Sequence, residues 1–461
     1  MAAPFSTVLT ASTSRLAPPA NSRMANKDFT WGVATASYQI EGAIHADGRL
    51  PSIWDTFSAT PGKVLNGDTG EVACDHYHRW ESDVDLMAQL GVDAYRLSTA
   101  WPRVMDEHGK PNVKGLDFYK RLFDRLEAKG IERFVTLYHW DLPQHLEDRG
   151  GWLNRDTAYR FADYADLMSR EFKGQVKAWC TLNEPWCSAY LGYGNGHHAP
   201  GRTDPRFATQ AMHHLLLGHG LALQALEAND PAAMRGLVAN IGRGTTDRDT
   251  PADREAARLY ELQHNDWVLG PLLKREYPKD LFKLWPGTEP LVLPGDMDVI
   301  GGKLDFLGIN YYFHLNLRSD GKHGFVDVPL EGVERTQMGW EVHPQGLQDL
   351  LVDFKARYPN LPPIYITENG MASDDKVVNG TVDDAQRISF LNRHFAAISG
   401  AMDKGVDVRG YFVWSLIDNF EWAFGYERRF GIVHVDYETQ QRTLKQSAKS
   451  FTEFLKARAA G

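Results

Sequence analysis

Short β-rich runs alternate with helical apolar periods eight times along this chain, and that alternation constrains the fold more than any other feature. The runs lie at residues 29–36, 94–98, 134–138, 176–182, 236–241, 304–309, 364–367 and 410–416, the fifth being the weakest. Between them, Val84, Met87 and Leu90 recur at helical spacing before Gly91. Leu116, Tyr119, Leu122, Phe123 and Leu126 do so before Gly130, and Ile388, Leu391, Phe395 and Ile398 before the last run. Apolar residues three and four apart mark one buried helix face, and a following glycine supplies the left-handed C-terminal turn. Strand alternating with helix is the signature of parallel βαβ units. Eight of them in 461 residues predict one (β/α)₈ barrel with long βα loops, an α/β fold, rather than a shorter doubly wound sheet. No GxGxxG follows the first run, which further disfavours a dinucleotide fold.

Residues 28–461 therefore read as one domain. Residues 1–27 are rich in Ala, Ser, Thr and Pro, carry Arg15 and Arg23, and contain no acid before Asp28. They lack the apolar core of a secretory signal. Their composition suits an organellar transit segment, but the plainer expectation is a disordered tail or an upstream start, with Met24 as the true first residue. The net charge of −10, without a run of Lys or Arg, argues against nucleic acid or an anionic membrane as partner. No apolar stretch approaches the ~20 residues of a membrane span. Cys74, Cys180 and Cys187 are too few for a disulfide framework and form no CxxC pair, so ordinary buried thiols in a reduced, cytoplasmic protein are expected.

Polar residues collect where the strands end. Gln39, His139, Asn183, Glu184, Asn310, Tyr312, Glu368, Trp414 and Glu421 all end or follow a predicted strand. In a closed parallel barrel those ends share one face, so residues hundreds of positions apart converge. Glu184 and Glu368 supply the pair of carboxyl groups that glycosidic cleavage needs, one to protonate the leaving oxygen and one to attack carbon or activate water. The same pair is compatible with a hard metal, but no Asp cluster or HxxxH spacing accompanies it. His197, His198, His213, His214 and His219 are metal-like by count only. His214 and His219 stand five apart, off a single helix face, so loop and packing roles are expected. Trp140, Trp340, Trp414 and Trp422 lie beside this polar rim, and sugar rings stack their C–H faces on indoles while their hydroxyls need polar partners. Thr381-Val382-Asp383-Asp384 reads as a capping-box variant before the last predicted helix.

Thr181-Leu182-Asn183-Glu184-Pro185 and Ile366-Thr367-Glu368-Asn369-Gly370 resemble the acid/base and nucleophile motifs of family-one glycoside hydrolases, the β-glucosidases. The resemblance runs from Phe29 to about Phe454 and includes the stretch from Trp31 to Gly42, Tyr138-His139-Trp140-Asp141, Asn310-Tyr311-Tyr312, and the stretch from Trp414 to Trp422. It implies a (β/α)₈ barrel acting as a retaining exo-β-glycosidase on terminal β-D-glucosyl residues, with galactoside and fucoside activity alongside. It implies Glu368 as nucleophile, Glu184 as acid/base and Asn183 on the 2-hydroxyl. Gln39, His139, Glu421 and Trp422 would hold the outer hydroxyls, with Trp414 beneath the ring and Trp140 in the same substrate-binding set. Tyr312 would bond the nucleophile, Asn310 would support that site, and Trp340 would be the aglycone platform. Nothing is carried over from the fifth strand.

Plant thioglucosidases of the family carry Gln where Glu184 stands, and phospho-β-glycosidases lack the Glu421-Trp422 pair. The resemblance thus implies unphosphorylated O-glycosides and short β-linked oligosaccharides as substrates, with no cofactor. A transglycosylase of the same fold and a non-catalytic sugar-binding barrel are the alternatives. Oligomeric state and aglycone preference stay open.

Overall fold

The computed structural model describes residues 15–460. Eight parallel strands close into a barrel: β1 (Thr30–Ala34), β2 (Ala94–Ser98), β3 (Glu132–Tyr138), β4 (Ala178–Asn183), β5 (Met234–Thr245), β6 (Phe306–Ser319), β7 (Ile364–Asn369) and β8 (Val408–Trp414). Each pairs with its sequence neighbours, and β8 pairs with β1 through Thr30↔Gly410 to Ala34↔Trp414, which seals the ring. The major helices following the strands are α1 (His76–Leu90), α2 (Val113–Ala128), α3 (Asp156–Glu171), α4 (Pro205–Asn229), α5 (Trp267–Lys274), α6 (Pro344–Arg357), α7 (Ala385–Asp403) and α8 (Gln446–Ala460).

The apolar periods bury as their spacing requires. Val84, Met87 and Leu90 of α1 are fully buried, and Gly91 ends the helix at φ 80° with its N–H on the Met87 and Ala88 carbonyls. Beneath the polar rim the barrel is filled by aromatic rings: Phe134 lies 4.9 Å from Phe412 and 5.3 Å from Tyr365, which lies 5.6 Å from Phe306. Gly32 makes room for this plug, since a Cβ there would collide with the Phe412 ring. At the polar rim itself a Cβ on Gly370 would run into the Trp414 carbonyl oxygen, so only glycine lets β7 leave the sheet beside β8.

Three expectations are corrected. β5 and β6 run well past the barrel, pairing from Gly236↔Phe306 to Thr245↔Asn316, and β6 then folds back on Phe325–Asp327. The alternating β-favouring residues from Tyr311 to Leu317 sustain that ribbon, which buries Leu317 against Ala257 and Tyr260. The capping box before α7 does not form. Asp384 makes no cap; its carboxylate instead accepts from Arg387 and from the backbone N–H and hydroxyl of Ser447. The disordered tail expected over residues 1–27 is packed along residues 15–27. Leu16 and Met24 are fully buried, the Leu16 N–H donates to Ser450 Oγ on α8, and the Met24 carbonyl accepts from Trp31 Nε1. Residues 1–14 of that expectation lie outside the described residues. No helix among the described residues is long and apolar enough to cross a membrane.

Candidate active site

All eight strands bring a side chain to one cleft at the barrel's carboxyl end or directly behind its lining. Gln39 follows β1 on the turn Ser37–Ile40, and Arg96 stands within β2. His139 and Trp140 follow β3, and Asn183 and Glu184 close β4. Asn240 lies in β5, Asn310 and Tyr312 in β6, Glu368 in β7, Trp414 at the end of β8, and Glu421 with Trp422 in the loop beyond. The strand register sets Asn310 level with both Asn240 and Glu368.

The two glutamates share this cleft and are held in contrasting ways. Glu368 is ion-paired with the buried Arg96: Nη1 donates to Oε1 at 2.5 Å, while the Tyr312 hydroxyl donates to Oε2 at 2.5 Å. Glu184 has neutral neighbours. Asn310 Nδ2 donates to its Oε1 at 2.7 Å, and Cys187 Sγ lies 3.1 Å from its Oε2. Burial, and then the nearby charge of Glu368, push the Glu184 carboxyl up to about 7. Thr367 Oγ1 donates to Asn310 Oδ1 at 2.7 Å, which fixes that amide with its NH₂ toward Glu184. Oε2, which meets only the weak Cys187 S–H donor, is the better-placed oxygen for the proton of a neutral Glu184.

Asn183 links the pair. Its Oδ1 accepts from Arg96 Nη2 at 2.7 Å and from Asn310 Nδ2 at 3.2 Å, so its Nδ2 faces His139 Nε2 at 3.1 Å as donor. His139 is then the tautomer protonated on Nδ1. Burial and the Arg96 charge hold it well below the ordinary imidazole range, hence neutral. Glu421, in contrast, is pushed up to about 8 by burial and by Glu368 and Glu184. Among the protein's own groups neither Glu421 Oε2 nor Gln39 Oε1 finds a hydrogen-bond partner. Buried polar atoms without partners are costly, and sugar hydroxyls are suited to supply them.

Indoles form the walls. Trp422 packs 4.5 Å from Trp140 and lies nearly parallel to His139, at 5.9 Å and 18°. Trp140 is anchored by its Nε1 on the Asn183 carbonyl at 2.9 Å. Trp340, from the loop before α6, faces the cleft beside Tyr312 at 5.6 Å. Glu184, Trp140 and Trp422 all have positive φ, 46°, 79° and 48°, a region that costs a bulky side chain energy and that clusters at working sites. The cavity, of about 230 Å³, is lined by both glutamates, His139, Trp140, Tyr312, Trp340, Trp414, Glu421 and Trp422.

Every predicted site residue thus lies at this cleft or directly behind its lining, and Asn310 bonds Glu184 directly while meeting the Glu368 strand through Thr367. Sequence reasoning missed Arg96, although a charged residue inside a wholly buried strand was a visible signal. It also missed Asn240, on the strand from which nothing was drawn. Cys187, taken for an ordinary buried thiol, is part of the cleft wall, as is His198, taken for a loop histidine. His213, His214 and His219 do pack within the fold, on Asp296, the Trp152 carbonyl and Thr181.

Residues 22–460 match the family model described as Glycosyl hydrolase family 1. The chain is 46% identical to the bifunctional β-D-glucosidase/β-D-fucosidase of Bifidobacterium breve, over 93% of this chain and 97% of that protein. It is 45% identical to β-glucosidase A of Thermotoga maritima, again over 93% and 97%. The solved family 1 β-glucosidase from Thermotoga maritima superposes with a TM-score of 0.91 at 43% identity, covering 95% of this chain and 99% of that one. The structure of the β-glucosidase from Exiguobacterium antarcticum B7 superposes at 0.92 and 43%, covering 94% and 99%.

Proposed function

The chain belongs to glycosyl hydrolase family 1, and from that premise we propose a retaining exo-β-glucosidase in which Glu368 is the nucleophile and Glu184 the acid/base. The observation that carries these roles is the contrast between the two carboxylates: one ion-paired to a buried guanidinium, the other among neutral groups with its carboxyl pushed up to about 7. A carboxylate held by a guanidinium suits the attacking group, and a carboxyl raised by burial suits the proton donor.

In the first step a Glu368 oxygen attacks the anomeric carbon while Glu184 gives its Oε2 proton to the departing glycosidic oxygen. The product is a glycosyl ester on Glu368 and a free aglycone. Forming the ester consumes the Glu368 charge, which removes one cause of the raised Glu184 carboxyl. Glu184, now ionised, takes a proton from water as that water attacks the anomeric carbon and the bond from that carbon to the Glu368 oxygen breaks, and both residues return to their starting states. No step calls for a metal or an organic cofactor. Gln39, His139, Glu421 and Trp422 hold the hydroxyls of the terminal sugar, with Trp140 bracing Trp422 and Trp414 under the ring. Trp340 receives the aglycone. Terminal β-glucosides and β-fucosides are the substrate class, in keeping with the activities by which the relatives are named.

Proton NMR of freshly cleaved aryl β-glucoside tests the reading. β-Glucose should appear first and mutarotate afterwards; α-glucose as the first product would mean single displacement and overturn the roles.

A further inference from the structure

The aromatic wall of the cleft does not stop at Trp340. It continues through Phe313 at 5.4 Å and His264 at 5.8 Å to Trp186 at 4.3 Å, all of which line the same cavity. Trp186 then lies 4.9 Å from Tyr190, and Tyr190 stacks on Trp285 at 5.8 Å and 22°. Tyr190 and Trp285 leave the catalytic cleft and line a second cavity of about 380 Å³.

Three separate segments build that cavity. Tyr190 comes from the π-helical turn Cys187–Gly194 that follows Glu184, and Trp285 from the connection between α5 and β6. The tip of the β6 hairpin contributes Asp320, Lys322 and His323. Trp285 is braced from behind by the fully buried Trp267 at 5.3 Å, so its ring is held rather than free to swing. Both lining rings are half-buried, and the rim around them offers donors and acceptors of both signs, with Gln263 and Lys283 completing it. Aromatic faces surrounded by mixed polar groups suit a neutral polyhydroxylated ligand better than an ion or a purely apolar one.

We infer that Tyr190 and Trp285 form a distal subsite for the third and later sugar units of a β-linked oligosaccharide whose non-reducing end sits at Glu368. The inference rests on the glycosidase reading of the cleft, and the continuity of the wall from Trp340 to Trp285 is what identifies the occupant as the far part of the same substrate.

The test is kcat/KM for an aryl β-glucoside, cellobiose, cellotriose and cellotetraose, with the parent protein and with Trp285→Ala and Tyr190→Ala. In the parent, kcat/KM should rise from cellobiose to the longer chains. Each variant should lose about five- to tenfold on cellotriose and cellotetraose, and stay within about twofold on the aryl glucoside and cellobiose. If Trp285→Ala weakens folding through Trp267, Tyr190→Ala, which leaves the Trp267–Trp285 contact in place, and the parent's chain-length series decide. A flat series in the parent, or a loss shared equally by short and long substrates in the folded variant, would overturn the subsite. Failure of the aryl glucoside to react at all would instead overturn the glycosidase reading.

Discussion

Arg96 and Glu368 meet in a buried ion pair, Nη1 to Oε1 at 2.5 Å, and the same guanidinium holds Asn183 Oδ1 through Nη2 at 2.7 Å. One planar group thereby sets the position of the attacking carboxylate and of the amide beside the acid. A lysine has a single ammonium and cannot span both.

Arg96→Lys should keep the fold and the charge but lose one charge-assisted hydrogen bond, about 1.5–3 kcal/mol, or roughly a 10- to 150-fold drop in kcat/KM. Arg96→Met should do worse, stranding Glu368 as an unpaired buried charge at a cost of about 3–5 kcal/mol in stability. Steady-state kinetics and denaturant melts of the two variants separate these outcomes. Equal, small effects of both would show that Arg96 only fills space.

Glu184→Gln should lose about 10²–10⁴-fold on substrates with poor leaving groups, which need the proton, and far less on dinitrophenyl glucoside. With the activated substrate a burst should precede slow turnover, because ester hydrolysis still lacks its base. The same loss on good and poor leaving groups would argue that Glu184 is not the acid.

The barrel was legible in the sequence because apolar periodicity is local. Val84, Met87 and Leu90, or Ile364 and Ile366, announce their elements without reference to anything distant. The polar rim was legible for the same reason, each residue being tied to the end of its own strand. What periodicity does not encode is which side chain bonds which. Asn310 was placed correctly on β6, yet whether its amide reaches Glu368 or Glu184 depends on Thr367 turning that amide from the next strand. His264 enters the cleft from a segment without a site motif, and Leu16 packs on α8 from a stretch whose composition suggested a tail.

The pH profile follows from Glu184. Its carboxyl is raised to about 7, so the acid is protonated below that pH and kcat/KM should fall as pH rises through it. Removing the Glu368 charge as Glu368→Gln should lower the Glu184 midpoint, readable by NMR titration of the labelled carboxyl. An unchanged midpoint would mean that the two carboxyl groups do not sense each other.

Glu421→Ala should strand hydroxyls of the terminal sugar, at about 1–3 kcal/mol for each buried hydroxyl left unpaired, with the loss mainly in kcat. Fucosides, lacking the 6-hydroxyl, should suffer less than glucosides. A uniform drop across aryl glucoside, galactoside and fucoside would show that Glu421 does not read that hydroxyl. The stability sign is opposite. The Glu421 carboxyl stands at about 8 in the folded protein and near 4.3 when unfolded, so the native state binds the extra proton between those values. Its ionisation therefore destabilises the fold progressively as pH rises from about 4 to about 8. Glu421→Gln should be the more stable protein at pH 8, with the advantage nearly gone at pH 4, in thermal melts at the two pH values.

The site of the covalent intermediate is the most direct test of Glu368 as the nucleophile. A 2-deoxy-2-fluoro-β-glucosyl substrate with a good leaving group slows both steps by withdrawing electrons from the anomeric centre, but still allows the first, so the ester accumulates. Mass spectrometry of the intact and then the digested protein should find one fluoroglucosyl unit, carried by Glu368 alone, with release of one equivalent of leaving group. A label on Glu184, or steady turnover with no label on any carboxylate, would rule out Glu368 as the nucleophile.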